Sequence, residues 1–450
     1  MPFLAGRGTS LSKKMHLVTL LILQLLAACA KTSPSAETLT PAPPAATITV
    51  GAAAAVTAPP DTPTPIPTPV PTPVPVSDLL VVRPGVYVTS ELGTIPLPVS
   101  GYDVYLVGEA PHAFCQVCIL TAEYLRLLQE TIGLQDLILE EPQVYERPFN
   151  EFVLGRTDTL PSHSRRWIGI LLEVRALNER LPDADKIRLH LLDVDRSSWE
   201  IYSHLQAVHK EIGAAAEPIE IPSRYEFEKW SLVDMLALAD QLVEAAEDQA
   251  PILSELTTVK RSIEFIHAEP LSQEEPLSGR VRVGIRESTI EGNIKHLLAA
   301  LDGRSVLGLY GAWHTQKRQS QSVYAFERPL AQRLTESGVN VYSLFVTGIR
   351  GRVGIGDENS MALRTDLNQI RFADDTTLGA VLETTPDHDL VYIDLRLEPN
   401  AAIRLGVLAA VNWAEAGRFA GIDYQDALAG EAYDGIILFG EVTPVQDACP

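Results

Sequence analysis

The stretch DVYLVGEAPH, residues 103–112, decides the fold. Its first half, Asp103 to Gly108, is a short unbroken apolar run rather than an alternating one, which suits a strand buried on both faces. Its second half sets Glu109 and His112 directly beyond that strand. A helical pattern follows at once, Cys115 to Thr131, with apolar residues at helical spacing and a stop at Gly133.

The same succession recurs along the chain. Comparable runs are Gln135 to Glu140, Ile187 to Val194, Ser305 to Gly311, Asn340 to Thr347, Asp389 to Leu395 and Asp434 to Phe439. Helical patterns lie between them at Arg165 to Glu179, Trp199 to Ile212, Leu232 to Glu247, Glu255 to Ile266, Glu287 to Leu301 and Pro329 to Glu336. Strands alternating with helices predict an α/β domain, a largely parallel central sheet flanked by helices. The helix-only stretch from about 196 to 300 reads as a helical insertion. The folded domain is expected over residues 79–450.

Before it lie two segments of another kind. Lys13 and Lys14 precede an apolar run, Leu17 to Leu26, which is too short to span a membrane and ends in LAAC, residues 26–29. Residues 1–28 therefore read as a signal peptide. Cys29, after small residues, is placed to take a lipid, as in the bacterial lipobox it resembles. Several acyl chains would give stable anchoring, at ~0.8 kcal/mol per buried CH2. Residues 29–78 include DTPTPIPTPVPTPVPV, where proline removes backbone donors and fixes φ. A disordered, extended Pro/Thr-rich stalk is expected there. The domain would then work on the outer face of a bacterial membrane.

Charge narrows the partners. The formal charge is −22, and processing would remove three cations, Arg7, Lys13 and Lys14. Nucleic acid and anionic headgroups repel such a chain, and no basic cluster with interleaved aromatics is present. The expected partners are membrane lipid, through acylated Cys29, and a small-molecule substrate.

In open α/β sheets, ligands sit beyond the carboxyl ends of the strands. Those ends carry Glu109 and His112, then Glu140 and Glu141, then Asp193 and Asp195, then His314. In a parallel sheet they share one rim. Histidine can take a proton from water, a carboxylate can orient it, and a second histidine can donate to an oxyanion or leaving group. The same residues could hold a divalent metal. Each also has a plainer reading. Glu109 and His112 would serve as well to cap the next helix, and Glu140 as a solvated strand end. Asp193 and Asp195 read more readily as helix caps, and His314 alone as a surface histidine.

VGEAPHA (107–113) resembles the GEATHG motif of the erythromycin esterase family, which haem-binding Tiki-like lipoproteins share more loosely. IGLQDLILEE (132–141) is similar to the segment carrying that family's second acid. Trp167 with RALN (175–178), LLDVD (191–195), IRESTIEGNI (285–294), LGLYGAWH (307–314), YIDLR (392–396) and YDGIILFGEVTP (433–444) resemble later blocks, in order. The resemblance implies an α/β fold and attack by water on an ester, often a lactone, without a required metal. It makes His112 the general base, with Glu109 and Glu140 orienting it or the water. Arg286 and Glu287 would lie close to the pocket, Arg286 able to bind an anionic intermediate, and His314 would be the second histidine. The chain departs from the family where HNxH is usual, since only His314 stands there and Ala312 takes the place of a histidine. Pro111 and Ala113 replace a small polar residue and a glycine, and Thr289 or Ile290 stands near the usual methionine. Macrolide esterase activity is therefore not implied. Rival readings are a ChaN-like lipoprotein capturing haem or metal, and a metal-dependent Tiki-like peptidase.

Cys115 and Cys118 open a helix just after His112. A redox or metal role competes with a structural one, in which one of them pairs with Cys449 and the other is buried. No second metal pair exists, which favours the structural reading. Gly348 to Gly356, GIRGRVGIG, lacks the Gly-Lys-Ser/Thr ending of a phosphate loop and predicts a mobile loop near the site.

Overall fold

The computed structural model describes residues 79–443, apart from 111, 113, 248, 269–279, 319–327, 356–362, 369–389, 398–399, 401–406, 414–417 and 424–428. Cys29, the expected stalk and Cys449 lie outside the described residues. Among the described residues no helix is long and apolar enough to cross a membrane.

Each expected strand forms. β1 (Leu80–Arg83) and β2 (Val86–Thr89) precede β3 (Val104–Glu109), β4 (Asp136–Pro142), β5 (Arg188–Asp193), β6 (Val306–Gly311) and β7 (Val341–Ile355). β8 (Leu363–Asn368), β9 (Leu390–Asp394), β10 (Val407–Trp413), β11 (Arg418–Asp423) and β12 (Gly435–Val442) follow. The sheet order is β1-β2-β9-β12-β7-β3-β6-β4-β5. From β12 to β5 every neighbouring pair is parallel, and β9, β2 and β1 continue the sheet antiparallel.

The apolar runs are continuous because the central strands are covered on both sides. Every residue of β3 and β6 is buried. Alternate side chains serve opposite faces. Tyr105 and Val107 of β3 face α1 (Cys115–Ile132) and α2 (Ile168–Asn178), in a core with Leu120, Leu125 and Ile170. Val104 and Leu106 face α3 (Arg280–Ala300) and α4 (Leu330–Glu336), with Ile290, Ile294 and Leu334. α1 ends at Gly133 in the left-handed conformation (φ 68°), which glycine adopts without a Cβ clash.

The stretch between β5 and β6 is helical. Ser198–Ile212, Leu232–Ala246 and Ala250–His267 share a core of their own, with Leu205, Leu242 and Leu256 at its centre. The glycine-rich segment corrects one expectation. Gly348 to Ile355 is strand, not loop, because both of its halves find partners. β12 pairs with Gly348 to Gly351, and β8 pairs antiparallel with Arg352 to Ile355.

Candidate functional site

The order of the strands brings the distant acids together. β6 inserts between β3 and β4, so the carboxyl ends of all three lie side by side, next to that of β5. This is the crevice where such sheets bind ligands. Gly108 permits the packing there: a Cβ at Gly108 would run into Thr315 Oγ1 and stand 3.0 Å from Ala312 Cα.

Glu109 ends β3 and is buried. Its Oε1 lies 2.8 Å from Nδ1 of His112 and accepts from Arg166 Nη2 at 2.6 Å. Burial opposes its ionisation, but Arg166 and His112 outweigh burial and hold its pKa below the usual range. An ionised carboxylate only accepts, so bonding to Glu109 puts the proton on Nδ1 of His112 and leaves Nε2 a lone pair. Arg166 Nη2 also lies 2.8 Å from that Nδ1, to which it donates in the other tautomer. The His112 side chain is 51% exposed, whereas that of Glu109 is 2% exposed. The pair therefore joins an open imidazole to a fixed, buried anchor.

Glu140 lies behind it. Oε2 accepts the Gly311 amide at 2.6 Å, and Oε1 takes Arg286 Nη2 at 2.6 Å. Burial opposes its charge too, but His314, Arg286 and Arg166 hold its pKa well below the usual range. Arg286 spans Glu140 and Asp193, giving Asp193 Nε at 2.8 Å and Nη2 at 2.5 Å. Arg196 adds a bond of 2.7 Å to Asp193 and one of 3.2 Å to the Glu140 carbonyl. Glu141 accepts from Trp167 Nε1 at 2.7 Å.

Three expectations change here. Asp193 and Asp195 do not cap the next helix, whose cap is Ser197, accepting from the Glu200 amide. Asp193 is drawn to Arg286 and Arg196, and Asp195 lies 2.8 Å from Nδ1 of buried His204. His314 is buried, not at the surface. Its Nδ1 is 2.6 Å from Glu287, which also accepts the Leu330 amide. Burial and Arg286 oppose its charge, but Glu287 and Glu140 raise its pKa to about 9. Its Nε2 lies 3.5 Å from Glu140 Oε1. Arg286, finally, is committed to Glu140 and Asp193 rather than free for an anionic intermediate.

Cys115 is disulfide-bonded to a residue outside those described. Cys118 is free and buried. Burial and, after it, Glu109 push its thiol up to about 12, which leaves little thiolate near neutral pH.

Gly311 governs the pose of His112. A Cβ there would stand 2.6 Å from His112 Cε1, 3.1 Å from its Nε2 and 3.4 Å from Glu140 Oε2. Gly311→Ala is expected to displace the ring and cut turnover roughly 10- to 100-fold. The check is a rate assay beside a melting curve. An unchanged rate would show that the ring's present position is not required.

No family model matches the chain, and no curated protein matches it. Solved structures do. A Bacillus cereus protein superposes with a TM-score of 0.55 at 15% identity, covering 78% of this chain and 91% of that one. A succinoglycan biosynthesis protein gives 0.58 at 13%, over 81% and 96%. A mutant erythromycin esterase in its open conformation gives 0.55 at 12%, over 78% and 94%. The chain has the erythromycin esterase fold. Within that fold the resemblance drawn from VGEAPHA and IGLQDLILEE places Glu109, His112 and Glu140 together, and the structure does the same.

Sequence reasoning missed Arg166 and Arg196. Arg166 enters from the 3-10 turn just before α2, not from a strand end. One signal was available: Arg165 and Arg166 adjoin a helix N-terminus, where the dipole disfavours cations. An arginine placed against that preference needs an acid nearby, and Glu109 is that acid.

Proposed function

We propose that residues 79–450 form a hydrolase that cleaves ester bonds with water activated by His112. The observation that carries this is the Glu109–His112 pair: a buried carboxylate at Nδ1 of a half-exposed imidazole. Water gives its proton to Nε2 as its oxygen adds to the ester carbonyl carbon. The C–O bond to the alcohol then breaks, and the proton passes from Nε2 to the leaving oxygen. His112 is the catalytic residue. Glu109 positions it, and Arg166 holds Glu109. The fold neighbour that is an erythromycin esterase supports ester hydrolysis as the reaction class.

The donor set fits a metal ion poorly. Glu109, Glu140 and Asp193 already accept from Arg166, Arg286 and Arg196. A cation entering there would have to displace guanidinium groups of like charge. Among the described residues no group of three or more His, Cys, Asp or Glu could hold a metal ion. This favours the hydrolase over the metal-peptidase reading.

The sequence of residues 1–78 supports export and lipid attachment at Cys29, which would set this chemistry outside the cytoplasm on a small-molecule ester. The test is a panel of aryl, alkyl and lactone esters, with and without chelator. Turnover that survives chelation is expected. Turnover abolished by chelator and restored by a divalent ion would reject the proposal in favour of the peptidase type.

A further inference from the structure

His163 is bent into a conformation that few side chains accept. Its φ is 69°, in the left-handed region. Histidine enters that region more often than most residues, yet a non-glycine residue held there is strained, and such residues gather at functional sites. His163 stands three residues before Arg166, the cation on Glu109.

Two rings hold it. The imidazole stacks on Tyr145, with centroids 4.7 Å apart and planes 24° apart, and meets Trp199 at 5.8 Å and 34°. Both geometries suit aromatic pairs. The rings come from the rim of the sheet: Tyr145 closes the 3-10 turn after β4, and Trp199 lies in the first turn of the helix after β5. They are tied together, because Tyr145 Oη donates to Glu200 Oε1 at 3.0 Å and Glu200 adjoins Trp199. The ring contacts outweigh the backbone strain and keep the segment drawn onto the rim.

Arg166 needs such holding. Its side chain is 13% exposed, and its Nε is buried without an acceptor among the described residues. The N-terminus of α2 disfavours its charge. A long, flexible side chain under those penalties keeps its place only if the backbone beneath it is fixed. After it, Trp167 is buried and gives Nε1 to Glu141 at 2.7 Å. Before it stands the His163 stack. Three residues span at most about 10 Å, so release of the ring is felt at Arg166.

Building on the assignment of His112 as the base, we propose that His163 is a positioning residue. Its stacked ring latches the segment before α2 and so keeps Arg166 on Glu109 and beside Nδ1 of His112. His163 acts through Arg166, not on the ester. With the ring released, Arg166 turns toward water, Glu109 loses its buried counter-ion, and the carboxylate that orients Nδ1 is no longer fixed.

Two variants separate the ring from the backbone. His163→Gly takes a left-handed φ without strain and lacks the ring, whereas His163→Phe keeps a flat ring. Labelling of Arg166 by phenylglyoxal, read by peptide mapping of the full-length protein, does not depend on turnover. His163→Gly is expected to label at least about 10-fold faster than wild type, as local opening becomes easier, and His163→Phe close to the wild-type rate. Equal labelling of wild type and His163→Gly, or of the two variants, overturns the latch. In ester turnover, His163→Gly should lower kcat about 10-fold with KM unchanged. It should cost nothing further when Arg166 is already alanine. An undiminished loss in the Arg166→Ala background overturns the route through Arg166. If the wild type turns over no ester, the hydrolase reading falls, and the labelling still decides the latch.

Discussion

Replacing His112 with alanine is expected to lower ester turnover by about 100- to 10,000-fold, the range a positioned general base contributes. The folded state should survive, because the ring is half exposed and its anchor, Glu109, keeps Arg166. Loss of rate without loss of melting temperature is therefore the expected pair of readings. Glu109→Gln should give a smaller loss, since an amide can still meet Nδ1 but no longer fixes the tautomer by charge. Equal rates in wild type and His112→Ala, against every ester that is turned over, would reject His112 as the base.

Arg286→Ala should act on stability. Arg286 is the shared counter-ion of Glu140 and Asp193, whose side chains are 5% and 0% exposed. Removing it leaves two carboxylates buried with reduced compensation, which costs about 3–5 kcal/mol. Urea denaturation measures this. The cost should also depend on pH. Burial disfavours the charge of both acids, but Arg286 among their partners holds both pKa values below those of the unfolded chain. Groups with depressed folded pKa values stabilise above their unfolded values, near pH 4, and lose that contribution as pH falls through the folded ones. The gap between wild type and variant should thus be full at neutral pH and narrow below about pH 4. A gap under about 1 kcal/mol at pH 7 would show that Arg196 and Arg166 suffice without Arg286.

The sheet was legible because its central strands are buried on both faces. Runs such as DVYLVG and SVLGLY have no other economical fate, and their ends named the rim of the site. β1 and β8 gave no such signal. Leu80 to Arg83 leaves three of its four residues exposed, and β8 is LRTDLN, polar at four of its six positions. The carboxylates at the rim were legible from position alone, but their partners were not. Arg166 reaches the site from the 3-10 turn before α2 and Arg286, which only the resemblance put near the pocket, from a helix far along the chain, and no local pattern records a contact between residues 286 and 140. Asp193 looked like a helix cap because a cap and a buried ion-pair acid look alike in one dimension. Only the return of α3 to the sheet tells them apart.

The separate core of the helices between β5 and β6 has an evolutionary meaning. Among the described residues those helices meet the strand-end groups through His204, against Asp195, and Glu200, which accepts the Arg196 amide, whereas Arg286 and Glu287 come from α3, which packs on the sheet. Glu109 and His112 come from the end of β3 and Arg166 from the turn before α2. Descendants could therefore reshape the part of that core remote from His204 and Glu200 while inheriting Glu109, His112 and Arg166, none of which it supplies.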